Sequence, residues 1–417
     1  MLFSTVIDYI NGLKVERFIE LGERKKALMV VISSAIINLF VLCFFKYSDF
    51  LIENINNIFN LNIGLLNLPL PIGISFYTFQ TMSYTIDIYR GDAKAQKSIL
   101  DFGAYVALFP QLVAGPIVRY QTIATQISKR DHSIEKFADG VNRFVCGLAK
   151  KVILSNQLAV VADGVFSTNL ANVSILEAWL GIVCYTLQIY FDFGGYSDMA
   201  IGLGKMFGFE FLENFNYPYI SQTVSEFWRR WHISLGSWFR DYVYIPLGGN
   251  RKGTIILVRN IFIVWALTGI WHGASWNFVV WGLLYFILLF LEKYTPLGNI
   301  QSLKIGSVYT LLAVGICWVF FRAPTLTEAV LYLETMFCLS PASLWNAEAT
   351  VALTNGAIYF LLGIVLSTPI FPWLTKRSWS KKPCIKYLAA GFQLVVFLLT
   401  IGFILSSDYD PFIYFNF

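Results

Sequence analysis

Thr268-Gly269-Ile270-Trp271-His272-Gly273-Ala274-Ser275-Trp276-Asn277 sits in the middle of residues 253–291, where Arg259 is the one Lys, Arg, Asp or Glu. That run is too long for a single membrane crossing. It is just long enough for two short helices that meet in a bend. Gly269 and Gly273 flank the Trp-His pair and permit a tight turn with close backbone approach. The reading places a histidine at a kink, inside the membrane or at its outer edge. A charged side chain at such depth costs roughly 2.5–3.5 kcal/mol on insertion scales, so it tends to be functional. A neutral imidazole costs less, and packing against a neighbouring helix would explain it too. Thr268, Ser275 and Asn277, which could orient the ring and fix its tautomer, favour function.

The rest of the chain agrees with a membrane protein. Of 417 residues, 31 are Lys or Arg and 26 are Asp or Glu, so 14% are charged. A soluble domain carries about 25% and could not cover its surface with so few. Hydrophobic residues make up 56% and the mean hydropathy is +0.60, which excludes disorder. Further apolar runs cover 27–45, the later part of 54–86, 178–191 continuing towards Gly204, 305–321, 349–375 and 387–407. Residues 102–118 are short and broken by Pro110, Gly115 and Pro116, which reads as re-entrant. The expected fold is all-α, a multi-pass integral membrane protein. It forms one polytopic domain over 1–417 with about eight to ten membrane segments.

Basic loops suggest the orientation. Residues 119–151 and 376–386 read as cytoplasmic, and 322–348, with Glu328, Glu334 and Glu348, as external. The net charge of +5 reflects those loops and not nucleic-acid binding. Cys43, Cys146, Cys184, Cys317, Cys338 and Cys384 lie far apart, without zinc or redox spacing, and read as inert buried thiols. No metal site is expected, and no cleavable signal peptide is evident.

Three histidines occur: His132, His232 and His272. His132, in Lys129-Arg130-Asp131-His132, reads as a solvated loop residue. His232 lies in Phe227-Trp228-Arg229-Arg230-Trp231-His232-Ile233-Ser234-Leu235. On a continuous helix, Trp228, Trp231, Leu235, Trp238 and Tyr242 share one stripe, while Arg229 and Arg240 share another face. An interfacial helix with tryptophans at headgroup depth accounts for that pattern. So does a basic aromatic surface for the phosphates and thioester arm of an acyl donor. Asp192 and Asp198 are acids in an apolar run. Pairing with an arginine such as Arg229 or Arg240 explains them, as does a direct chemical role. The chain has no Gly-x-Ser-x-Gly elbow, Walker A loop or His-Glu-x-x-His, which argues against a serine hydrolase, an ATPase pump and a zinc protease.

The Phe227–Leu235 string, Phe239-Arg240-Asp241-Tyr242-Val243-Tyr244-Ile245-Pro246-Leu247-Gly248-Gly249-Asn250-Arg251 and Trp271-His272-Gly273 strongly resemble the membrane-bound O-acyltransferase family. Their closest likeness is to its alginate O-acetyltransferase-like branch. Phe109–Pro116, Tyr190–Asp198, Asn216-Tyr217-Pro218-Tyr219 and the tail Asp410–Phe417 match as well, so the resemblance covers essentially the whole chain. It implies a helical bundle with re-entrant segments around a central tunnel. It also implies a catalytic role for His272, with His232 as the second family histidine. Trp228, Arg229, Trp231, Arg240, Asp241, Trp271, Asn277 and Asp198 are the residues expected to line the donor or substrate site. Family members usually begin with further apolar helices, so the chain reads as N-terminally shortened.

The expected reaction moves an acyl group, most simply acetyl, from acetyl-CoA or another cytoplasmic thioester to an exported bacterial polysaccharide. No permanently bound cofactor is expected. The expected partners are membrane lipid, the donor, and the glycan or a periplasmic acyltransferase. The expected location is the bacterial cytoplasmic membrane. Two rival readings remain: a polysaccharide-export or proton-coupled transporter using Asp192, Asp198 and the histidines, and a silent scaffold for a periplasmic enzyme.

Overall fold

The computed structural model describes residues 1–112, 115–303, 305–377, 382–406 and 412. Val113, Ala114 and nearly all of the tail motif at 410–417 lie outside them, as do 378–381 of the basic segment. Among the described residues the protein is all-helical. Six helices among the described residues are long and apolar enough to cross a membrane: Arg24–Phe59, Ile134–Ser167, Thr254–His272, Trp276–Tyr294, Ala347–Leu366 and Tyr387–Ser406. The protein is an integral membrane protein. A helix of 19 residues, such as Thr254–His272, is about 28 Å long and matches a hydrocarbon core of about 30 Å.

The apolar runs become helices with three corrections. Residues 119–151, read as a loop, are mostly helical. Tyr120–Ser128 and Ile134–Ala149 are α-helices, and a π-helical turn at Lys150–Ser155 leads into Asn156–Ser167. The segment 322–348, read from its charges as an external loop, contains a helix, Leu326–Met336. Only Cys184 and Cys317 are buried, while Cys43, Cys146, Cys338 and Cys384 are exposed. A membrane helix turns apolar residues outward to lipid, so an apolar setting in sequence does not mean burial in the protein. The broken segment 102–118 forms two short helices, Ile99–Val106 and Phe109–Leu112.

The chain divides into two compact units. The first comprises Met1–Val141 with Ala200–Leu212. Its core is aromatic: Tyr84 packs on Phe102 and Tyr120, at 4.4 and 4.9 Å between ring centroids. It also buries a polar knot, in which Asp8 accepts hydrogen bonds from Ser34 Oγ at 2.5 Å and Asn38 Nδ2 at 2.7 Å.

The second unit, Asn142–Met199 with Glu213–Phe417, carries every expected site position, Asp198 included. Its hairpin is Thr254–His272 followed by Trp276–Tyr294, and the two helices cross at Gly269 and Gly282. A Cβ on Gly282 would stand 2.5 Å from the Trp265 carbonyl oxygen and 3.2 Å from Gly269 Cα. A second close crossing joins Gly147 to Gly195, where a Cβ on either would meet the other's carbonyl oxygen at 2.5 or 2.7 Å. Small residues let backbones approach where lipid provides no hydrophobic drive.

Candidate active site

His272 is the last residue of the first hairpin helix. The bend at Gly273–Ser275 follows it, and Ser275 Oγ caps the second helix by accepting from Asn277 N at 3.3 Å. The imidazole is buried and meets three aromatic rings nearly edge to face. The centroid distances are 5.0 Å to Trp271, 4.9 Å to Trp281 and 5.3 Å to Phe321. Trp281 and Phe321 arrive from the second hairpin helix and from Gly306–Arg322. Asn277 donates from Nδ2 to the Ala323 carbonyl at 2.6 Å. It therefore ties the hairpin to the end of Gly306–Arg322.

The continuous helix read through 228–242 does not form. Val224–Arg230 ends at Trp231, His232 turns left-handed at φ 44° and ψ 54°, and Ile233–Phe239 begins anew. The neighbouring segment Asn214–Asn216 holds this break. Asn214 O accepts from Ile233 N at 2.9 Å, and Asn216 N donates to Arg230 O at 2.9 Å. Asn214 Oδ1 faces Ser234 N at 3.2 Å, Ser234 Oγ at 2.9 Å and His232 Nδ1 at 3.1 Å. The break packs these tryptophans against other aromatic rings. Trp231 packs on Phe215 at 5.0 Å and Trp318 at 5.2 Å. Trp228 packs on Trp265 at 4.7 Å and Tyr285 at 4.9 Å. The His232 ring lies 4.7 Å from Phe193 and 6.3 Å from Trp271, so both histidines flank one indole.

A cavity of about 660 Å³ is walled in part by Ile233 and Thr268, and neither His232 nor His272 is among its lining residues. Trp228, Arg229, Arg240, Thr268, Glu292 and Lys293 are among the residues that line it. Thr268 stands one helical turn before His272, on the same face of the same helix. The Trp228 and Trp281 indole N–H groups are buried and make no hydrogen bond among the described residues. Arg240 pairs with Asp241 at 2.7 Å, and Asp241 is not part of the cavity wall. Glu292 accepts from Val224 N at 2.5 Å, Ser225 N at 2.9 Å and Ser225 Oγ at 2.8 Å. Its carboxylate so caps the helix that carries Trp228 and Arg229.

Asp198 and Asp192 have other partners than expected. Asp198 binds Arg143 at 2.6 Å and Lys150 at 2.5 Å, and Asp192 binds Lys151 at 2.6 Å. Arg229 and Arg240 face the cavity instead, and Asp198 is not in its wall. The Gly147–Gly195 crossing brings the helices together, and the π-helical turn aims successive lysines at the two acids. His132 is exposed. Among the described residues no three His, Cys, Asp or Glu side chains gather as a metal site would need. Sequence reasoning passed over Asn214, Ser234, Trp281, Phe321 and Glu292. Asn214 carried a weak signal, standing two residues before the Asn216-Tyr217-Pro218-Tyr219 string.

Comparison with known proteins agrees with this architecture. The family model for membrane-bound O-acyltransferases matches residues 90–298. The chain is 41% identical to "Probable alginate O-acetylase AlgI" of Pseudomonas putida, covering 91% of this chain and 83% of that protein. It is 46% identical to the protein of the same name in Pseudomonas aeruginosa, covering 81% of this chain and 66% of that one. It is also 33% identical to "Peptidoglycan O-acetyltransferase" of Helicobacter pylori, covering 99% of this chain and 86% of that protein. The chain belongs to the membrane-bound O-acyltransferase family, and its class is that of a membrane-embedded O-acyltransferase.

Proposed function

We propose that this protein moves an acetyl group from a cytoplasmic thioester, acetyl-CoA or a similar donor, to hydroxyls of an exported bacterial polysaccharide, directly or through a periplasmic acyltransferase. Its place would be the cytoplasmic membrane. The observation that carries the reading is His272 itself: a buried imidazole caged by three rings, one helical turn from a basic, aromatic cavity. The names of the relatives supply the envelope glycan as acceptor class.

In this mechanism neutral His272 takes the proton of the acceptor hydroxyl. The oxygen attacks the thioester carbonyl carbon and a tetrahedral oxyanion forms. The C–S bond then breaks, and the imidazolium returns its proton to the leaving thiolate. The oxyanion needs donors in a dry site, and the Trp281 indole N–H beside His272 fits that part. Arg229, Arg240 and Lys293 suit the phosphates of a nucleotide thioester. A proton relay through Asp192 and Asp198 is disfavoured, because each acid is held in an ion pair.

The test is His272→Ala in a folded, membrane-inserted protein. Mass spectrometry of envelope polysaccharides should show acetylation with the native chain and none with the variant. Full acetylation by His272→Ala would refute the assignment.

A further inference from the structure

His232 occupies a conformation that few non-glycine residues adopt, and one residue, Asn214, braces it through both its backbone and its side chain. Left-handed backbone at a non-glycine residue is strained and persists only where the surroundings enforce it. Asn214, fully buried, holds the turn twice. Its carbonyl accepts from Ile233 N, and its side-chain oxygen faces His232 Nδ1. The orientation of that carboxamide follows from its neighbours. Ser234 N–H can only donate, so the atom it meets at 3.2 Å is Oδ1 and not Nδ2. Oδ1 can only accept. An unprotonated Nδ1 would set two lone pairs against each other at 3.1 Å in a buried site, so Nδ1 bears the hydrogen.

We propose that Asn214 is a positioning residue that holds His232 as the Nδ1–H tautomer, making Nε2 an acceptor and assigning His232 to the hydroxyl side of acyl transfer. The role, though not the tautomer, rests on the acyltransfer reading above. Both histidine rings pack on Trp271, His232 at 6.3 Å and His272 at 5.0 Å between centroids, so they belong to one aromatic cluster. A neutral Nε2 without hydrogen cannot stabilise an oxyanion. It can accept a hydrogen bond from the attacking hydroxyl and orient it towards His272. Burial favours the neutral ring, lowering its pKa to about 3.

The chain has only three histidines, so ¹⁵N-histidine labelling of the full protein in lipid nanodiscs gives three ring spin systems. His132→Gln, His232→Gln and His272→Gln identify them. At pH 7 the His232 ring should show a protonated Nδ1 and an unprotonated Nε2. Asn214→Asp should retain that pattern, and Asn214→Leu should lose it. With acetyl-CoA and a soluble glycan acceptor, Asn214→Leu should lower kcat about 10²-fold with little change in KM, and Asn214→Asp should restore part of it. An Nε2–H ring in the native protein, or an unaltered tautomer in Asn214→Leu, would overturn the proposal. Failure of the native protein to transfer acetyl, with the Nδ1–H signature intact, would overturn the reaction and the role given to His232 but not the tautomer.

Discussion

The hairpin that carries His272 depends on a contact with no room for a methyl group, and Gly282→Ala measures it. The added Cβ would lie 2.5 Å from the Trp265 carbonyl oxygen, about 0.9 Å inside the 3.4 Å at which ordinary contact begins. The obstacle is backbone on a facing helix, so no rotamer change relieves it. The helices must part by roughly that distance. Overpacking of this kind costs about 1–3 kcal/mol. Gly282 faces Gly269, three residues before His272, so the displacement passes to the imidazole. A misplacement of about 1 Å can lower a rate about 10²-fold. The assay pairs thermal unfolding in detergent with acetyl transfer. Gly315→Ala is the control, because nothing stands within 4 Å of its Cβ. In that helix alanine should be neutral or stabilise by up to about 1 kcal/mol. If Gly282→Ala matched the control in both stability and rate, the argument that close approach places His272 would be wrong.

Three other perturbations test separate parts of the site. Asp198→Asn should lower stability by up to about 3 kcal/mol, read as a drop in unfolding temperature. The lower end of the buried-pair range applies because the Arg143 and Lys150 side chains remain 32% and 36% exposed. Glu292→Gln weakens three bonds at the start of Val224–Arg230. It should cost about 1.5–3 kcal/mol and raise KM for the thioester donor, measured by steady-state kinetics. His232 lies outside the six long apolar helices, and burial lowers its folded-state pKa to about 3 from 6.5. Folding then favours the neutral ring, so its contribution is complete above about pH 6.5 and is lost as pH falls towards 3. The stability difference between the native protein and His232→Gln should be flat from pH 7 to 8 and shrink on acidification.

Much of this protein is legible in the chain because the bilayer imposes a one-dimensional rule. Runs without charge must become helices, and the glycines around Trp271-His272 had to allow a bend where Gly273–Ser275 makes one. Motif chemistry singled out His272 and His232, while Arg229 and Arg240, expected together on one continuous helix, meet at the cavity from two separate segments. The rule failed where charge is cancelled through space. Arg143, Lys150 and Lys151 looked like loop cations, yet they neutralise Asp198 and Asp192 on a distant stretch of the chain, Arg143 and Lys150 standing 55 and 48 residues from Asp198. Periodicity failed at His232 for the same reason, since the helix there is broken by Asn214, 18 residues earlier.

The sequence by itself determined the solvent in which the protein folds, the helical class, the family and the two histidines worth testing. Those follow from composition, run length and motif, which are local properties. Only the tertiary structure decided what each polar group faces: the rings around His272, the carboxamide that sets the His232 tautomer, the carboxylate of Glu292 at a helix start. Hydrogen bonds and ion pairs act over about 3–4 Å. Which groups come within that range depends on how helices cross, and glycine pairs such as Gly269 and Gly282 set those crossings between residues far apart in the chain.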